Sequence, residues 1–264
     1  VLRGFRAQEP PGGPLPLHSV MSHTRDEALR LMEEWTPSES LRKHMLSVEA
    51  AVVAYAEHYG EDAGSWAQAA LLHDFDYERY PNPDRDESGH PWVGVRELEA
   101  RGYSKLVLDA ILGHADYTGV ARQSLLAKVL FACDELTGLI TAAVLVRPDK
   151  DIANLTLASL KKKLKDKAFA RGVNRDDVRQ GAEELGVALD DHMQFVLNAM
   201  QAAAASLGLD GSLAAVKRAS RPNVGRRGRL ATASPRHGAG RGTPVRPSLE
   251  RRSCQARRTC VSRG

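Results

Sequence analysis

Along residues 22–209, apolar side chains recur at three- and four-residue intervals. That is the period of a helix with one face turned to a core. No stretch alternates apolar and polar positions between turn residues, so strands are not expected, and no repeat period is visible. Capping signals divide the pattern. Thr24 and Glu27 make a T-x-x-E box opening "RDEALRLMEEW". Thr36-Pro37-Ser38-Glu39 reads as a second box with Pro at the first helical position, opening a helix that stops at Gly60. Further helices are expected over about 62–74, 91–101, 104–113 and 124–146. After these come one ending near Gly172, one opened by Asn174 and one over 189–207 stopped by Gly208. The expected fold class is all-α, a single helical bundle, with one long irregular connection at 76–94.

Polar groups break the apolar pattern at particular places. His44 lies near the start of the second helix, and in "LLHDFDYERY" the adjacent pair His73-Asp74 closes the third. His90 precedes the fourth helix, and His114 ends the fifth in "ILGHADYTG". Asp134 sits mid-helix in "LLAKVLFACDELTGLI", one turn from Leu130 and Phe131. A carboxylate on an apolar face is costly unless it is paired, hydrogen-bonded or bound to a metal, so Asp134 is the most informative of these positions.

The order His44, His73-Asp74, Asp134 resembles the H…HD…D metal-binding pattern of the HD-domain superfamily of metal-dependent phosphohydrolases. The stretches "SESLRKHMLSVE", "ALLHDFDYERYP", "GHADYTGVARQSLLAKVLFACDELTGLI" and "LKKKLKDKAFARGVNRDD" further resemble a subgroup of predicted HD hydrolases of roughly 190 residues. The resemblance implies an HD-type domain over 22–209. Dinuclear members of the superfamily carry two further histidines, which implies His44, His73 and Asp134 on one ion and His90 and His114 on the other, with Asp74 bridging. Imidazoles and carboxylates without thiolate suit two divalent ions drawn from Mn, Fe, Co, Ni or Zn, with Mg also admissible. The implied activity is cleavage of a phosphomonoester or phosphodiester in a nucleotide-like small molecule by metal-activated water. His73, Asp74 and Asp116 are the catalytic candidates, Asp116 as a proton acceptor close after His114. An HD-type diiron oxygenase, which uses the same six ligands, is the alternative enzyme.

Phosphate contacts are sought among cations. Lys163, Lys167 and Arg171 fall at i, i+4 and i+8 of the expected helix in "LKKKLKDKAFARG", and Arg42 and Lys43 flank His44. Charge then separates the ends of the chain from its middle. Residues 216–264 hold fourteen Lys or Arg against the single acid Glu250, a net +13, and residues 1–20 contribute +1. Taking both from the chain total of +4 leaves −10 for residues 21–215. A leader over 1–21 with four Pro and three Gly, and a basic low-complexity tail over 210–264, are expected to be disordered. Met21 is a candidate native start. Through its phosphate-neutralising charge the tail offers a third reading, a nucleic-acid-binding protein. The three cysteines (Cys133, Cys254, Cys260) form no CxxC motif, and no apolar run is long enough to span a membrane, so a soluble, cytoplasmic protein is expected. Oligomeric state is not legible.

Overall fold

The computed structural model describes residues 23–212 and residue 214; the leader, and the tail beyond Ala214, lie outside the described residues. Among the described residues ten α-helices follow one another: α1 (Arg25–Trp35), α2 (Glu39–Tyr59), α3 (Ala63–Leu72), α4 (Trp92–Ala100), α5 (Lys105–Gly113), α6 (Leu125–Leu145), α7 (Leu157–Lys165), α8 (Arg175–Leu185), α9 (Leu189–Ala202) and α10 (Ala204–Leu207). No strand occurs among the described residues, only an isolated bridge between Asp151 and Asp210. The fold is all-α, and no described helix is long and apolar enough to cross a membrane.

The two longest helices, α2 and α6, pack on each other and carry the rest. Helix α6 contacts α5, α8 and α9, while α2 contacts α3 and α9, and α1 covers α3. Leu126, Val129, Leu130, Leu136, Leu139 and Ile140 of α6 are almost wholly buried, which makes it the axis of the core. Helix α8 approaches α6 at Gly181, where a Cβ would stand 2.5 Å from the Ala132 Cα. A buried imidazole pins α9 in place: His192 Nε2–H donates to the Ala132 carbonyl at 2.9 Å, and its Nδ1 accepts from the Tyr55 hydroxyl at 2.7 Å. Both ring nitrogens are satisfied by neutral partners, and burial pushes the His192 pKa down.

Three local expectations are corrected. Thr36 does not open α2. It ends α1, donating its N–H to the Met32 carbonyl and its hydroxyl to the Phe75 carbonyl, so Ser38 caps α2 by accepting from Leu41 N–H. Helix α7 ends at Lys165 rather than near Gly172. Its apolar anchors are Leu160 and Leu164. Beyond them Asp166 is extended, Ala170 takes a positive φ, and the Arg175 guanidinium ties the segment by donating to the Asp166, Phe169, Ala170 and Val173 carbonyls. Finally, the expected helix over 189–207 breaks at Ala203 into α9 and α10.

Two helical glycines, Gly181 at the α6–α8 contact and Gly138 elsewhere on α6, carry opposite predictions. Gly181→Ala drives a methyl into backbone and should destabilise the fold by about 1–3 kcal/mol. Gly138→Ala, whose new carbon meets only Val173 Cγ2 at 3.9 Å, should stabilise it by up to about 1 kcal/mol through helix propensity. Urea unfolding of both variants checks the pair.

Candidate metal centre

Helix termini have unpaired backbone groups, because the last carbonyls of a helix lack the N–H of a following turn. Two helices here end on a histidine that uses this. His73 caps α3 and turns its Nδ1 to the Ala70 carbonyl at 2.8 Å; His114 caps α5 and turns its Nδ1 to the Ile111 carbonyl at 2.5 Å. A carbonyl can only accept, so each Nδ1 carries the hydrogen and each Nε2 of the neutral ring is a bare lone pair. The arrangement answers why an apolar helix should break off into His-Asp. The helix end orients the imidazole, and Asp74, one residue on, lies beside it.

Those lone pairs converge. His44 from α2, His73, and Asp134 from the middle of α6 form one group of three whose donor atoms lie within 4.8 Å of one another. Asp74, His90 and His114 form a second such group. The six residues therefore fall into two sets that share a boundary at Asp74. Its Oδ2 stands 3.5 Å from His73 Nε2 and 3.7 Å from His44 Nε2, while its Oδ1 stands 3.4 Å from His90 Nε2 and 3.5 Å from His114 Nε2. Asp134 Oδ1 lies 2.9 Å from His44 Nε2 and 3.6 Å from His73 Nε2. Most of these gaps exceed a hydrogen bond. They match the spacing of about 3.0–3.5 Å between neighbouring donors on one ion with bonds near 2.1 Å. The donor set thus fits divalent cations in kind and in spacing, and one carboxylate faces both groups.

The electrostatics agree. Burial disfavours a charged His73, but Asp74 and then Asp134 outweigh it and hold its pKa up at about 9. Burial likewise opposes the charged forms of Asp74 and Asp134, yet the surrounding imidazoles pull both well below the ordinary carboxylate range. Without an ion, a proton on His73 supplies part of the missing positive charge.

A cavity of about 540 Å³ opens beside this cluster, lined by Asp74, His90, His114 and Asp134. Its other walls mix Tyr77, Tyr117 and Phe131 with the acids Asp116, Glu135 and Asp177. Among the described residues Arg85 is the one Lys or Arg that lines it, with its guanidinium 5.5 Å from the centre of the Tyr117 ring. Burial beside Asp134 raises the Glu135 pKa to about 7. A cavity of similar size between α2, α3 and α9 has an alanine-rich lining and no such cluster.

The remaining sequence candidates sit elsewhere or are occupied. Asp116 lines the cavity, but its Oδ1 accepts from Arg122 Nη1 at 2.6 Å, and Arg122 is also bound to Glu184. Arg42 donates to the Thr36 and Glu33 carbonyls and so closes the end of α1 instead of facing the cavity. Lys43 pairs with Glu39 at 2.9 Å. Because α7 ends at Lys165, Lys163, Lys167 and Arg171 do not share a helical face. Lys163 lies over the Phe169 ring, and Lys167 and Arg171 line a separate cavity of about 550 Å³ that has Asn174 in common with the metal-side one. Sequence reasoning missed Asp76, Arg85, Tyr117 and Glu135. Asp76 had a readable signal, since it is an acid flanked by Phe75 and Tyr77; Arg85 had none, lying in an exposed turn.

Residues 41–139 match the family model of the HD domain. The matched segment supplies all six of these residues, and HD domains are usually metal-dependent phosphohydrolases. No curated protein and no solved structure gives a match.

The raised His73 pKa has a measurable consequence. Below about 9 the ion-free fold holds a proton that an incoming cation must expel. Divalent-metal affinity should therefore rise with pH between 7 and 9, by roughly tenfold per unit for one released proton. The same proton stabilises the ion-free fold fully below the unfolded value of 6.5, and that contribution is lost as pH rises through about 9. Mn²⁺ titration calorimetry in two buffers of different ionisation enthalpy measures the proton count; a flat affinity with no proton release would show His73 already neutral.

Proposed function

We propose that this HD domain is a metal-dependent phosphohydrolase that cleaves a phosphomonoester or phosphodiester bond of a small, nucleotide-like molecule. One observation carries the reading: imidazoles with inward-facing Nε2 lone pairs meet two carboxylates in two adjoining groups, four of whose six residues line a cavity sized for a small ligand. When bound, divalent ions supply Lewis acidity toward phosphoryl oxygens and acidify water at neutral pH.

The chain's own residues do the rest. His44, His73 and Asp134 would hold one ion, His90 and His114 the other, and Asp74 would face both through its two oxygens. With only two carboxylates among six ligands, two divalent ions leave the centre net positive, which attracts a phosphate. Arg85 adds a cation at the same cavity and would take a phosphate oxygen not held at the metal groups. Tyr77 and Tyr117 provide aromatic surface for an unsaturated or sugar-bearing leaving group. Glu135 and Asp177 line the same cavity, and burial raises the pKa of both, so they disfavour long polyphosphates only to the extent that rising pH ionises them. The basic tail does not enter the reading, and a role for it in nucleic-acid binding lies outside the described residues.

The test supplies the full-length protein, without oxygen, with Mn²⁺, Co²⁺, Fe²⁺, Mg²⁺ or Zn²⁺ in turn. Product formation is followed by mass spectrometry over nucleotides, cyclic nucleotides, dinucleotides and simple phosphate esters. Metal-dependent hydrolysis that disappears in the His73→Ala/Asp74→Ala double variant is expected. No hydrolysis across the panel, with oxygen consumption by the iron form in air, would replace the hydrolase with the oxygenase. On any substrate turned over, Arg85→Gln should lower kcat/KM about ten- to hundredfold, the worth of one charge-assisted hydrogen bond. An unchanged kcat/KM would remove Arg85 from the substrate's contacts.

A further inference from the structure

His90 is held differently from the other histidines of the cluster. It does not end a helix; it sits in the turns between α3 and α4, where no helical carbonyl is available to orient it. In place of a carbonyl, its Nδ1 meets the Oδ1 of Asp76 at 2.7 Å. Asp76 is 1% exposed, and its other oxygen, Oδ2, accepts from Gly94 N–H at 2.7 Å. Gly94 lacks a side chain for a visible reason, since a Cβ there would stand 2.7 Å from the Asp76 Cγ. The rest of the segment grips the His90 backbone. Its carbonyl accepts from Asn82 Nδ2 at 2.7 Å and from the Tyr117 hydroxyl at 3.0 Å, and its N–H donates to the Tyr80 carbonyl at 2.8 Å.

We propose that Asp76 is a positioning residue for one half of the metal centre: by holding the hydrogen on His90 Nδ1 it turns the bare Nε2 toward Asp74, and the Asp74–His90–His114 group depends on it while the His44–His73–Asp134 group does not. The proposal rests on the two groups being metal sites, and not on which reaction they perform. A carboxylate behind a ligating imidazole fixes its tautomer and orientation and raises its basicity. The asymmetry is built into the chain. Helix-end carbonyls orient His73 and His114, while His90 depends on an acid fourteen residues earlier. In Asp76→Asn the amide oxygen can keep the Gly94 bond. The amide NH₂ then faces His90 Nδ1, which must accept; the ring hydrogen moves to Nε2 and blocks the lone pair that would bind an ion.

The experiment titrates Mn²⁺ into full-length wild type and Asp76→Asn by calorimetry, with bound metal counted by elemental analysis. Wild type should take two ions. In Asp76→Asn one ion should bind as before, and the other should weaken by about 10- to 100-fold, the usual cost of losing such a partner. Two ions bound by the variant with wild-type affinity would overturn the proposal, as would equal weakening of both, which marks general loosening. Wild type that takes fewer than two ions would instead overturn the two-site reading, and the proposal with it. Should Asp76→Asn not fold, two-bond ¹H–¹⁵N spectra of Zn²⁺-loaded wild type decide the matter. His90 carrying its hydrogen on Nδ1 is expected; a hydrogen on Nε2 would sink the idea.

Discussion

Bare imidazole nitrogens facing ionised carboxylate oxygens form an arrangement with too many lone pairs and too few hydrogens. It stands only if something positive occupies the middle. His73 and His114 donate their single ring hydrogen outward to helix-end carbonyls, and His90 donates its own to Asp76. What remains inside is a set of acceptors around Asp74 and Asp134. His192 provides the contrast within the same core. It is as deeply buried, but both its nitrogens find neutral partners, so burial simply keeps it uncharged. The difference between a packing histidine and a candidate ligand here lies in where the second nitrogen points, and not in burial.

Holding such a cluster requires a rigid frame. Five segments of the chain contribute, and each is anchored separately to the core around α2 and α6. Asp134 is the central case. It follows the wholly buried Cys133 on α6 and is itself half-buried, so an unpaired carboxylate there would be costly, and it is kept ionised by His44 and His73. The close approach of α8 at Gly181 fixes the same stretch of α6 at Ala132, two residues before Asp134. Stiffness in the core and convergence at the cluster are therefore one property.

Part of this was legible in advance. Helical periodicity, capping residues and the stopping glycines marked most of the ten helices, because each of those signals acts within a turn or two of chain. At Thr36 and at the end of α7, where the expectation failed, a contact outside the helix had intervened. Thr36 was drawn away from α2 by the Phe75 carbonyl, and α7 was cut short by a segment that Arg175 ties off ten residues later. The lysines of that segment looked like one face only while the helix was assumed to continue.

The six candidate ligands could be named from sequence, since His and Asp at helix ends and on an apolar stripe are chemically conspicuous. Their order also resembles a known pattern. Sequence could not say which nitrogen of each ring faces inward, which oxygen of Asp74 faces which group, or that Arg42, Lys43 and Asp116 are engaged by Glu33, Thr36, Glu39 and Arg122. Nor did it single out Asp76 and Arg85, which come from the irregular segment before α4. Local chemistry determines which residues are able to bind a metal. Orientation and partnership depend on atoms brought together from positions tens of residues apart, and only the tertiary structure decides those.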